Sequence, residues 1–158
     1  MATKPSETIS TTDQRCVTLR RASAQDHQAL AGLLRGSGLP LEGVSDWLDR
    51  FWIGEFGGAI IGAAGMERYG DAGLLRSVAV APAWRGSGLG RALVERVLDD
   101  GRAAGIRAVY LLTTTAEHYF PRLGFACVDR GCVPAAVQGS AEFRGACPAS
   151  AVVMHKSG

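Results

Sequence analysis

At 158 residues, 47% hydrophobic and 20% charged, the chain has the size of one ordinary globular domain and enough apolar content to bury a core, with little left over for a second domain. A net charge of +2, with Lys and Arg scattered and no alternation of basic and aromatic residues, gives no electrostatic footprint for nucleic acid but leaves an anionic small molecule open as a partner. The opening stretch MATKPSETISTTDQR is polar and Ser/Thr-rich without an apolar segment, so residues 1–15 read as a disordered tail on a single cytoplasmic domain over residues 16–158, not as a signal peptide or membrane span. Four cysteines, at positions 16, 127, 132 and 147, form no Cys-x-x-Cys pair, so reduced thiols are expected, with neither a disulfide framework nor a metal site.

In chain order, Val17 to Arg20 predicts a short strand. A helix follows near Asp26 to Arg35, started by Ser23 and Asp26 and ended by Gly36, Gly38 and Pro40. A short helix over Glu42 to Asp49 leads to a strand at Phe51 to Phe56, a turn at Gly57 and Gly58, and a strand from Ala59 to Tyr69. After the turn GDAG, the apolar run Leu74 to Ala81 suits a buried central strand. A helix from about Gly88 to Ala104 carries Leu89, Leu93, Val97 and Leu98 as one stripe and stops at Gly105. Arg107 to Thr113 is a second buried strand, and Thr114-x-x-Glu117 has the pattern of a capping box for a short helix. Phe125 to Asp129, a long loop containing Pro134, and Ala151 to His155 complete an antiparallel meander, a βαβ unit and a closing hairpin.

The chemistry concentrates in VAVAPAWRGSGLGRAL, Val78 to Leu93, where three alternate glycines join a strand to a helix. A dinucleotide fingerprint fails, because the sixth position from Gly86 is Arg91 and from Gly88 is Leu93, and no Gly-Lys-Ser/Thr ends a Walker loop. What remains is Arg85-x-x-Gly88-x-Gly90 at a helix N-terminus, where unpaired amides and the helix dipole suit a phosphate group. A Gly-rich turn that only connects strand to helix is the alternative.

Together with YFPRLGF (Tyr119 to Phe125), this stretch resembles the GNAT superfamily of N-acetyltransferases from about Val17 to Lys156. The resemblance implies an α/β (α+β) fold with a mixed, mostly antiparallel central sheet flanked by helices on both faces. It implies acetyl-CoA as co-substrate, no metal, and a small-molecule amine as acceptor, with no nucleic-acid or membrane partner; a homodimer is compatible with it. By position, the amides of Arg85, Gly86, Ser87, Gly88, Leu89, Gly90 and Arg91 would bind the pyrophosphate, and backbone groups of Val78 and Val80 would pair with the pantetheine arm. The Val78 N–H would polarise the thioester carbonyl. Many members carry a tyrosine four residues before the glycine of LGF, where it can protonate the departing thiolate. Phe120 stands at that place here, beside the cofactor, so the candidate acid is Tyr119, one residue earlier, with a packing role as its alternative. A catalytically silent acyl-CoA or arsenical-binding regulator is the competing reading. GLLRSVAVAP, YLLTTTAEHYFPRLGF and AEFRGACPASAVVM are similar to the arsenic-resistance-associated branch of the superfamily, which implies an amino-acid-like arsenical or a related small amine as acceptor.

Arg76 interrupts an apolar strand, and a buried guanidinium needs acceptors. If the preceding turn centres on Asp71 and Ala72, Tyr69 opposes Leu74 and Glu67 opposes Arg76 on one sheet face. Arg76 and Tyr69 are then candidates for holding an acid group of the acceptor, and Glu67 for taking the ammonium proton; a structural ion pair is the alternative. His118 reads as solvent-facing rather than catalytic, and His27 and His155, with no partner in sequence, as surface or core residues. Trp47, Phe51 and Trp52 read as core residues, with lining of the acceptor pocket as the alternative.

Overall fold

The computed structural model describes residues 6–11, 15–148 and 150–157. Its first strands, Glu7–Ser10 (β1) and Cys16–Arg21 (β2), pair antiparallel with Ile9 opposite Val17. Residues 7–10 fall inside the segment expected to be a disordered tail, and that expectation is corrected for them. An edge strand is held by backbone hydrogen bonds and so needs no apolar face of its own, and Thr8 and Ile9 are β-branched. The rest of that segment lies outside the described residues except Ser6, Thr11 and Arg15.

A 3-10 turn at Ala24–Asp26 leads into helix α1, His27–Gly36, which buries Leu30, Ala31 and Leu34. Asp26 accepts the Ser23 amide at 2.7 Å. The short helix expected at Glu42 to Asp49 is instead a 3-10 segment, Ser45–Arg50, with no buried residue. Strand β3, Phe51–Phe56, and strand β4, Ala59–Tyr69, flank the Gly57-Gly58 turn as expected. Strand β5 is Ala72–Val80 and helix α2 is Leu89–Ala103, followed by β6, Ala108–Thr113. The two-residue strand β7 is Ala126–Cys127, the short helix α3 is Ala135–Gln138, and β8 is Val152–Ser157.

The hydrogen-bonded order is β1-β2-β3-β4-β5-β6-β8-β7. β5 and β6 run parallel across the α2 crossover, whereas β6 and β7 both pair antiparallel with β8. This is the expected mixed, mostly antiparallel sheet. Two compact units share β4 and β5: Met1–Gly65 with Ser77–Val97, and Met66–Arg76 with Leu98–Gly158. In the first, Leu30, Leu34, Phe51, Ile53 and Ala79 form a core against which Trp47 packs, and Trp52 is fully buried. In the second, Leu74, Tyr110, Val133, Val137 and Val153 do so.

Within the first unit, α2 lies close on the sheet because glycine faces it. A Cβ at Gly62 would come within 2.9 Å of Leu93 and 3.0 Å of Leu89, both fully buried. That close seating fixes the N-terminus of α2. No helix among the described residues is long and apolar enough to cross a membrane.

Candidate active site

β5 changes conformation at Ser77, a buried residue with φ of +58°. A serine in the left-handed region is uncommon and costs about 1–2 kcal/mol. Beyond it, Val78 and Val80 are half-buried and flank the buried Ala79, so the strand presents alternate residues at its surface. Nothing in the sequence marks Ser77, because serine has no special liking for that conformation.

The strand then enters a 3-10 turn, Pro82–Trp84, and the glycine loop. Gly86 and Gly88 have φ of +76° and +87°, conformations for which glycine is the natural residue. Ser87 is buried and donates from Oγ to the Trp84 carbonyl at 2.5 Å, while the Leu89 amide donates to that Oγ at 3.4 Å. Its hydroxyl is therefore committed to shaping the loop, and Leu89 turns its side chain into the core. Both can offer a ligand only their backbone. The exposed Arg85 donates from Nε to the Val80 carbonyl at 3.3 Å, and Arg91 pairs with Glu95 at 3.4 Å on the first turn of α2. Loop amides, the dipole of a fifteen-residue helix and two flanking guanidiniums make this end of α2 suited to an anionic diphosphate.

In the second unit, β4 and β5 bring together Glu67, Tyr69 and Arg76. Arg76 Nη1 donates to Glu67 Oε2 at 2.6 Å, and the Tyr69 hydroxyl donates to Glu67 Oε1. The turn residues are Gly70 and Asp71, one position earlier than the hairpin argument assumed. Moving the turn centre by one residue moves each partner by two, which keeps it on the same face, so the expected pair forms even though the assumed turn is wrong. A third charged residue joins from far along the chain: Glu142 Oε2 lies 3.7 Å from Arg76 Nε, in a π-turn over Glu142–Ala146. Sequence reasoning missed it. The available signal was the guanidinium's five donors, more than one glutamate can satisfy. All three side chains are at most 4% exposed.

Burial and the bond to Glu67 hold the Tyr69 hydroxyl above its ordinary range, so it remains a donor. Burial pushes the nearby Cys147 thiol up to about 12, with the Glu142 charge adding to the effect. That thiol stays protonated at neutral pH, which disfavours it as a nucleophile. The four cysteines are free, and no cluster of potential metal ligands exists among the described residues.

Tyr119, half-buried, precedes a 3-10 turn at Phe120–Leu123, and its ring meets Phe120 edge-on at 5.3 Å. Phe120 is buried and packs against Phe125 at 5.8 Å. The capping box expected at Thr114 and Glu117 is absent. Thr113 accepts the Ala116 amide through Oγ1 at 2.9 Å, and no α-helix follows, because Pro121 and Gly124 leave room for only one tight turn. His118 is solvent-exposed, His155 packs against Tyr110, and His27 Nε2 lies 3.0 Å from Ser45 Oγ.

Residues 47–127 match the model of the Acetyltransferase (GNAT) domain. The chain belongs to the GNAT acetyltransferase family. Among curated relatives of this GNAT chain, the amino-acid acetyltransferase of Mycobacterium tuberculosis (strain ATCC 25618 / H37Rv) is 34% identical over 94 residues, covering 57% of this chain and 53% of that protein. The amino-acid acetyltransferase of Pseudomonas aeruginosa (strain LESB58) is 33% identical over 127 residues, covering 75% and 29%. The chain thus spans about half or less of the curated relatives it matches. Among solved structures, Rv2747 from Mycobacterium tuberculosis in complex with CoA and NLQ superposes with a TM-score of 0.75 at 27% identity, covering 88% of this chain and 98% of that one. N-acetylglutamate synthase from Neisseria gonorrhoeae, complexed with coenzyme A and N-acetyl-glutamate, superposes at 0.77 with 23% identity over 89% of this chain and 35% of that one, a likeness of fold alone.

Proposed function

We propose that this GNAT domain transfers acetyl from acetyl-CoA to the amino group of an α-amino acid or a close analogue, by direct attack without an acyl-enzyme. The observation that carries the reading is the buried Glu67–Arg76 pair, an anion beside a cation whose order complements the ammonium and acid groups of an amino acid. The amino-acid acetyltransferases among the relatives support the same class.

The amides of Gly86, Ser87, Gly88, Gly90 and Arg91 hold the pyrophosphate, those of Arg85 and Leu89 being donated to the Pro82 carbonyl and to Ser87 Oγ, and the backbone of Val78 and Val80, on the half-buried positions of β5, takes the pantetheine arm. Glu67, directly or through water, receives a proton from the acceptor ammonium. The freed amine then attacks the thioester carbon, so that a C–N bond forms and the C–S bond breaks; the CoA thiolate leaves with a proton from Tyr119 or water, and the proton that the attacking nitrogen sheds on becoming an amide returns to that donor. The Val78 N–H stabilises the oxyanion that forms between. Arg76 already serves two carboxylates, so an acceptor acid group reaches it by replacing Glu142, whose 3.7 Å contact is longer than the 2.6 Å bond to Glu67.

An arsinate-bearing amino acid belongs to this acceptor class, and the motifs GLLRSVAVAP and AEFRGACPASAVVM support its inclusion. The test is CoA release from acetyl-CoA against amino acids, phosphinothricin-like acids and arsinates, aminoglycosides and polyamines. Turnover confined to α-amino acids and their acid analogues is expected. Equal turnover of polyamines would overturn the acceptor class, and CoA binding without any turnover would make the chain a silent binder.

A further inference from the structure

We propose that Arg15 is a positioning residue for the acetyl-CoA loop, an inference that rests on reading residues 85–91 as the pyrophosphate site. Arg15 belongs to no motif and lies at the start of the segment leading into β2. Its guanidinium carbon nevertheless sits 3.5 Å from the centroid of the Trp84 ring, and its Nη2 donates to the Ala83 carbonyl at 3.3 Å. The arginine is itself held in place. The Thr11 amide donates to the Arg15 carbonyl at 2.9 Å, and the Arg15 amide donates to Thr11 Oγ1 at 3.2 Å, with Thr11 buried.

Trp84 is the residue before Arg85 and is 6% exposed. The Phe56 ring meets its indole edge-on at 4.8 Å. The Trp84 carbonyl takes the Ser87 hydroxyl, and that hydroxyl takes the amide of Leu89, the first residue of α2. A continuous line of contacts therefore runs from Arg15 through Trp84 and Ser87 to the helix end that faces the diphosphate. The line matters because the loop it braces, between Trp84 and Leu89, contains Gly86 and Gly88, the residues with most backbone freedom to lose on binding. Fixing Trp84 fixes the carbonyl on which Ser87 hangs, so the loop is ordered before the ligand arrives. Planarity decides why this position is an arginine: a guanidinium stacks on an indole and reaches the Ala83 carbonyl at once, whereas an ammonium cannot do both equally well.

The experiment measures CoA affinity by titration calorimetry, with the melting temperature of the ligand-free protein, for Arg15→Ala, Arg15→Lys and Gly88→Val. Arg15→Ala is expected to raise the Kd by about two- to fivefold, the factor that an exposed cation–π contact is worth, and Arg15→Lys to recover only part of the loss. A lower melting temperature with unchanged Kd would make Arg15 merely structural and overturn the proposal. Full recovery by lysine would also overturn it, since charge alone would then suffice and the contact would be with the phosphate itself. If Arg15→Ala does not fold, Arg15→Lys decides, and an unchanged Kd overturns the proposal. Gly88→Val separates the two layers. Weakened binding in that variant beside an unchanged Arg15→Ala removes only the positioning role, whereas unchanged binding in Gly88→Val removes the cofactor site and the proposal with it.

Discussion

Arg76 stands between two buried carboxylates, and its planar fork is what lets one cation serve both. Lysine at this position would keep the charge and lose the fork. Arg76→Lys is therefore expected to raise KM for acceptors with an acid group by about tenfold, near 1.4 kcal/mol, and to leave acetyl-CoA binding and acceptors without an acid group unchanged. Its stability should be followed in parallel, since removing one partner of a buried pair outright costs about 3–5 kcal/mol. Unchanged KM values with lowered stability would make Arg76 structural. Glu142 gives the opposite sign. If an acceptor acid must replace it on Arg76, Glu142→Gln removes a charged competitor, and KM for acid acceptors is expected to fall about fivefold, roughly 1 kcal/mol. A rise instead would mean that Glu142 helps to build the acceptor site. Tyr119→Phe isolates the proton donor: kcat should fall while the acceptor KM holds, and an undiminished kcat assigns the proton to water.

The elements differ in how openly the sequence declares them, and β5 contains both extremes. Its apolar run and the glycine loop after it are legible from periodicity and from the need for positive φ at Gly86 and Gly88. Glu67 and Arg76 are legible as a pair because a charge in an apolar strand must find its partner nearby. Glu142 is not, since long-range pairing leaves no local periodicity, and the C-terminal turns that carry it lack a hydrophobic pattern. Strand β1 was hidden for a related reason, as an edge strand of polar residues looks like a tail until its partner is known. Ser77 is the sharpest case: the kink within β5 rests on a residue that the φ of +58° penalises. Ser77→Gly should be neutral to slightly stabilising, because relief of the left-handed penalty, about 1–2 kcal/mol, is only partly offset by glycine's greater freedom in the unfolded chain, about 0.5–1 kcal/mol. Ser77→Val should destabilise beyond the serine penalty. Urea midpoints for the two variants check this, and equal loss in both would show that the hydroxyl matters more than the backbone.

For the whole molecule, acid is the condition under which local ion pairs and total charge act together. With 17 Lys and Arg against 15 Asp and Glu, protonating carboxylates leaves a strongly cationic chain that repels itself. One network opposes this. Arg20 donates to both oxygens of Asp26, at 2.8 and 2.9 Å, and to Glu55 at 2.7 Å, tying β2 to β3 and to the turn that starts α1. The hydrogen bonds from the Arg20 guanidinium, set against desolvation, lower the Asp26 carboxyl from its ordinary 3.8 to about 2. A carboxyl depressed on folding contributes stability that is fully present above its unfolded pKa and lost as pH falls through the folded one. The contribution of Asp26 should accordingly be constant above about pH 5 and disappear between about pH 4 and pH 2. Other carboxylates titrate in the same range, so the informative quantity is the difference in melting temperature between the natural chain and Asp26→Asn. That difference should be flat from pH 7 to about pH 5, shrink steadily below about pH 4, and approach zero near pH 2. A difference that stays constant down to pH 2 would mean that Asp26 stabilises the start of α1 through neutral hydrogen bonds, with the Arg20 ion pair adding nothing.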